Sequence, residues 1–113
     1  ANGTAVGYRA LYNNSTGTGN TAMGINALLA NTTGNNNCSV GEGTLTANIT
    51  GSSNIAIGAS TLNTNTTGSN NIAVGLQALS ANTASNNTAV GYQSLFSNTS
   101  GIQNTAFGYQ AAK

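Results

Sequence analysis

Few side chains here could take part in chemistry. Formal charge is carried by Arg9, Glu42 and Lys113 alone, Cys38 is the single thiol, and there is no His and no Asp. General acid–base catalysis draws on His or on positioned carboxylates, and Glu42 is the only carboxylate side chain in 113 residues. Metal sites gather His, Cys, Asp or Glu in clusters, and none exists in the sequence. Nucleic-acid binding by counterion release takes several Lys or Arg, and two do not suffice. A lone cysteine forms no internal disulfide. With no His or cation beside it in sequence to activate the thiol, Cys38 reads as a small buried filler. These residues predict no enzyme, no metal and no cofactor.

The abundant types are 20 Asn, 17 Thr and 11 Ser, and the chemistry their spacing offers is modification. Asn14, Asn31, Asn48, Asn65 and Asn98 each begin an Asn-x-Thr/Ser triplet, and Asn82 breaks the series. Such a triplet is the acceptor pattern for N-linked sugar. An amide that stacks inside a fold cannot also carry sugar, so the neighbouring hydroxyls of Thr16, Thr33, Thr50, Thr67 and Ser100 are the favoured candidates, for O-linked sugar. With a net charge of +1, an assembled form would lack charge repulsion, and hydrated sugars would supply the missing solubility.

The elements that position these residues come from a repeat. A glycine recurs at Gly7, Gly24, Gly41, Gly58, Gly75, Gly91 and Gly108, at spacings of 17, 17, 17, 17, 16 and 17. Self-similarity at a fixed period signals a repeat architecture. The length suits one domain over 1–113, with coils beginning near 3, 20, 37, 54, 71, 87 and 104. Before each glycine stands an apolar residue: Val6, Met23, Val40, Ile57, Val74, Val90, Phe107. Two residues earlier the column is mostly β-branched, with Ala or Ser between, which reads as a short strand with the larger residues facing inward. Four residues after the glycine, Leu11, Leu28, Leu45, Leu62, Leu79 and Leu95 predict a second inward-facing stretch, also extended, with Ala112 in the last copy.

A polar turn follows, with Asn14, Asn31, Asn48, Asn65, Asn82 and Asn98 expected to stack as an amide ladder. A second glycine at Gly17, Gly34, Gly51, Gly68 and Gly101 suits a left-handed turn position. The fifth copy lacks that glycine and is one residue short, so the deletion falls in this turn. Gly, Asn and Thr are poor helix formers. The pattern predicts an all-β parallel β-solenoid or β-roll of about seven 17-residue coils.

The phrases "NTAVG", "NIAIG", "NIAVG" and "NCSVG" resemble the head repeats of trimeric autotransporter adhesins, the YadA-like β-roll. The longer unit is also similar to 17-residue arrays of bacterial surface proteins and phage tail fibres. The resemblance implies a left-handed roll, extracellular or on a cell or virion surface, often trimeric, serving in adhesion or as a fibre shaft. The coil here is longer than the family's, through its Asn-Thr-Thr-Gly segment.

Only 3% of residues are charged, against about a quarter in ordinary domains. No apolar run approaches the ~20 residues of a membrane-spanning helix, so membrane insertion is not expected. The column after the first glycine (Tyr8, Ile25, Ala59, Leu76, Tyr92 and Tyr109, interrupted by Glu42) predicts an interface with neighbouring chains. The sequence starts and stops within a repeat, so the coils are expected either to continue into more protein or to stack end to end on identical subunits. The expected role is a non-enzymatic structural subunit or segment of an extracellular fibre: filament, surface appendage or tail-fibre shaft. The alternative is an adhesin-type module contacting glycans or a host surface. Ice binding ranks behind both, because the Thr residues fall as pairs in turns, at Thr32-Thr33 and Thr66-Thr67.

Overall fold

The computed structural model describes residues 2–113, with no helix among them. Seven three-residue strands follow one another: β1 (Thr4–Val6), β2 (Thr21–Met23), β3 (Cys38–Val40), β4 (Ile55–Ile57), β5 (Ile72–Val74), β6 (Thr88–Val90) and β7 (Thr105–Phe107). They form one parallel sheet in chain order. Thr4 lies beside Thr21 and Cys38 beside Ile55, at the repeat period, while Ile72 lies beside Thr88 across the short copy. The chain is a parallel β-solenoid, 36 × 22 × 16 Å.

Each strand ends at the first glycine, where φ is 121–137° in all seven copies. A Cβ at Gly24 would lie 2.5 Å from the carbonyl oxygen of Gly41 in the next coil. The position therefore needs glycine both for its φ and for the close approach of stacked backbones.

The Leu stretch is inward-facing, as expected, but it is not a strand. Leu28, Leu45, Leu62 and Leu79 are fully buried, Leu95 nearly so, and Leu11 packs against them at the first coil. All six hold φ of 47–53° in a turn. That region costs an L-residue roughly 1–2 kcal/mol, and burial of a leucine contributes about 1.5–3 kcal/mol. The left-handed residue bends the chain back while its side chain stays in the core. Its N–H still joins the stack: Leu28 donates to the Thr44 carbonyl at 3.0 Å and Leu45 to that of Thr61 at 3.1 Å.

The strands face the opposite way from the sequence expectation. Val6, Met23, Ile57 and Phe107 are exposed, and Val40, Val74 and Val90 are half-buried, so this column is not the core. The small residues between the large ones point inward: Ala22, Ser39, Ala56, Ala73 and Ala89 are fully buried and Ala106 nearly so. The physical reason is interior width. The Leu column already fills the core, and the buried Asn columns take the rest, leaving room on the strand side for a methyl or a hydroxymethyl. Where Ser39 replaces Ala, its hydroxyl donates to the Thr44 carbonyl at 3.1 Å and meets the Thr44 hydroxyl, so the buried polar atoms are paired. Cys38 is half-buried on the outer face rather than a buried filler.

This orientation is testable by size. Ala73→Leu should cost at least about 1–3 kcal/mol by overpacking, and Leu62→Ala about 2–5 kcal/mol by leaving a cavity. Val74→Thr, on the outer side of the same strand, should change stability little. Urea unfolding followed by circular dichroism measures all three, and a tolerated Ala73→Leu would reverse the orientation.

Candidate functional site: an apolar sheet face on an amide-laddered rod

Two columns of buried asparagine hold the coils together. The expected ladder is present: Asn31 Nδ2 donates to Asn14 Oδ1 at 2.8 Å, Asn48 to Asn31 at 2.8 Å, Asn65 to Asn48 at 3.1 Å and Asn98 to Asn82 at 2.8 Å. Each amide also closes its own turn, as Asn31 does on the carbonyl of Gly34 at 3.1 Å.

A second ladder, assigned no role from sequence, runs through Asn20, Asn37, Asn54, Asn71, Asn87 and Asn104. Asn37 donates both its backbone N–H, at 2.9 Å, and its Nδ2, at 3.2 Å, to Asn20 Oδ1. In all but Asn104 the Nδ2 also reaches across its own coil: Asn20 to Gly34 O at 2.8 Å, Asn37 to Gly51 O at 2.8 Å, Asn54 to Gly68 O at 2.9 Å, and Asn71 and Asn87 in the same way. The signal was in the repeat, since an Asn opens six copies as regularly as the glycine closes the strand.

The second glycine's carbonyl is where the two ladders meet, and this gives the residue its reason. Gly17, Gly34, Gly51, Gly68 and Gly101 are not at positive φ, contrary to the left-handed turn expected. A Cβ at Gly34 would stand 2.3 Å from Gly51 O and 2.5 Å from Asn31 Oδ1. Space, not backbone conformation, selects glycine there.

The short copy breaks the first ladder. With one residue fewer, Asn82 Nδ2 turns to the Ala84 carbonyl at 2.7 Å, and Asn65 Oδ1 is left buried without a partner. The Asn82 oxygen instead accepts from Asn87 at 3.1 Å and Asn98 at 2.8 Å.

Outside, the sheet presents an apolar face. One column is Thr4, Thr21, Cys38, Ile55, Ile72, Thr88 and Thr105, and the next is Val6, Met23, Val40, Ile57, Val74, Val90 and Phe107. Past the glycine turn they are joined by the column of Tyr8, Ile25, Leu76, Tyr92 and Tyr109, all exposed. Eleven of the fourteen exposed large apolar side chains lie in these three columns. Tyr92 and Tyr109 stack at 5.2 Å. Arg9 lies over the rings of Tyr8, at 5.1 Å, and Tyr12, at 5.7 Å. Among the described residues there is no cavity and no group of three metal-ligating side chains, and Glu42 is exposed beside Ile25 and Ala59 in its column. No helix among them is long and apolar enough to cross a membrane.

No family model matches this chain, and neither does any curated protein or solved structure.

Restoring the missing residue should mend the ladder. A chain with Thr inserted between Thr83 and Ala84, and Ala84→Gly, should gain about 1–3 kcal/mol, the cost of one unpaired buried polar group. Denaturant unfolding measures it, and an unchanged midpoint would show that Asn65 is already satisfied by other means.

Proposed function

We propose that the chain is a non-enzymatic structural subunit, or a segment, of an extracellular fibre, and that copies of it associate through the sheet face. The carrying observation is the size of that face. Each of its large side chains shows roughly 100 Å², given the 150–250 Å² an aromatic side chain can bury. The three columns therefore expose on the order of 1,000 Å². The largest apolar patch of an ordinary monomer is ~300–600 Å², and each partner in a standard interface buries ~800 Å². Charge at the face is limited to Glu42 in its third column and Arg9 over Tyr8 at one end, so burying it strands little that needs solvent. A second copy of the same rod matches it in length, since every coil contributes to the face at the same spacing.

The resemblance to adhesin-head repeats supports the extracellular setting. A binding role toward glycans would use the outer Asn and Thr surface, and nothing concave favours it. The hydroxyl rows of an ice-binding face are interrupted on the sheet by Cys38, Ile55 and Ile72.

Ile57→Asp tests the reading. The side chain is exposed in a single chain, so the variant should keep the circular dichroism spectrum of the parent and lose association in sedimentation and electron microscopy. A parent that stays monomeric at high concentration, or a variant that assembles like it, would overturn the proposal. A folded monomer that binds a glycan array would favour the adhesin alternative.

A further inference from the structure

We infer that the hydroxyls of Thr16, Thr33, Thr50, Thr67 and Ser100 form a column of O-glycosylation sites for neutral sugars. The fold separates two adjacent hydroxyl columns in the polar turn. In the first, Ser15, Thr32 and Thr83 donate to backbone carbonyls of the next coil, at 2.8, 3.2 and 2.9 Å, while Thr66 and Thr99 donate to none. In the second, the five candidate residues are all exposed, and the stack makes no use of their hydroxyls. They sit nine residues along the 17-residue coil from the first glycine, as Thr33 does from Gly24. Sugar carried there is half a coil away from the sheet face and leaves it open. The short copy omits this position, so the column has a gap between Thr67 and Ser100.

The same geometry sets N-linked sugar aside at the inner ladder positions and leaves exposed Asn-x-Thr/Ser triplets only at Asn2, Asn13 and Asn86, outside the ladder. Asn31, Asn48 and Asn65 head N-linked triplets but are fully buried, with their amides committed to the ladder. Phosphate is disfavoured by spacing. Coils repeat at about 4.8 Å, and two dianions that far apart in water repel by about 3–4 kcal/mol, with only Arg9 and Lys113 in the chain to neutralise them. A neutral sugar adds hydration with no such repulsion, on a chain of net charge +1. The step needs a nucleotide- or lipid-phosphate-linked sugar and a transferase. The hydroxyl oxygen bonds to the anomeric carbon as that carbon's bond to the donor phosphate breaks. The phosphate leaves with the bonding pair, and the hydroxyl proton passes to a base of the transferase.

The inference rests on the fibre reading for its extracellular setting only. Protein isolated from its native source would be digested, and its peptides sequenced by electron-transfer mass spectrometry before and after alkaline β-elimination. Sugar should map to the five exposed hydroxyls, be absent from Thr32 and the ladder asparagines, and be released by alkali. Thr33→Val with Thr50→Val, expressed in the same host, should lose the sugar at those two sites. The unglycosylated forms of parent and variant should share one unfolding midpoint. Bare peptides, phosphate, or sugar on Thr32 or on the ladder would overturn the inference. Sugar on a chain that never assembles would sustain it while the fibre reading fails.

Discussion

A buried amide is costly unless its oxygen and its hydrogens have partners, and this rod buries two asparagines in each of four inner coils. An unpaired buried polar group costs about 1–3 kcal/mol. Within a single coil, Asn31 can satisfy its Nδ2 on Gly34 but has nothing for its oxygen, which accepts from Asn48 in the next coil. Stacking is therefore obligatory, and it has one register. A slip of one residue would bring side chains such as Ala47 or Ile55 against the amides and turn the small strand residues outward. The glycines follow from the same requirement. Gly34 lends its carbonyl to Asn20 and Asn31 together, and a side chain on it would occupy the place of the Asn31 oxygen.

Filling the interior with amides and leucine has a consequence for the surface. Strands favour β-branched and aromatic residues because these pack on a pleated sheet, yet the inner side of each strand has room for Ala or Ser only. The larger residues go outside. The solvent side of the sheet then becomes more apolar than the side facing the core, the reverse of an ordinary half-exposed sheet. An exposed Leu or Val on its own carries no message. Aligned columns along the whole rod, with charge scarce throughout the chain, have a physical cost in water that the proposed association would remove.

The period, the first glycine, the buried leucines and one of the two ladders were legible in sequence, because each is a column of a single residue type at constant spacing. The strand orientation was not, and the reason is specific. Period-two alternation identifies two faces but does not say which is inside, and assigning the larger residues to the core assumes a core with space. The uniform Ala/Ser column held the answer, since a position that accepts only the two smallest side chains is more restricted than one that runs from Val to Phe. The second ladder is harder to see in sequence, because its Asn stands directly before the strand in the same short phrase. The left-handed leucines had no signal at all. Leucine is not a residue associated with positive φ, and only the packing of the coil demands it.

The internal copies divide the sequence between two tasks. At inward positions the seven coils barely differ: Leu recurs in six, the first glycine in seven, and the inner strand residue is Ala in all but one. Nearest-neighbour contacts dominate a stack of this kind, so uniformity inside lets any coil sit on any other. Outward positions vary widely, from Thr to Ile in one column and from Ala to Tyr in another. Aromatic side chains gather at the two ends of the face, with Tyr8 at one and Phe107 and Tyr109 at the other, while Ile55, Ile57 and Ile72 hold its middle. A face with distinct ends and a distinct centre can discriminate one alignment of a neighbouring rod from another, which a uniform column could not. The fold is thus encoded in the inner columns; under the fibre proposal, the choice of partner and alignment would fall to the outer ones.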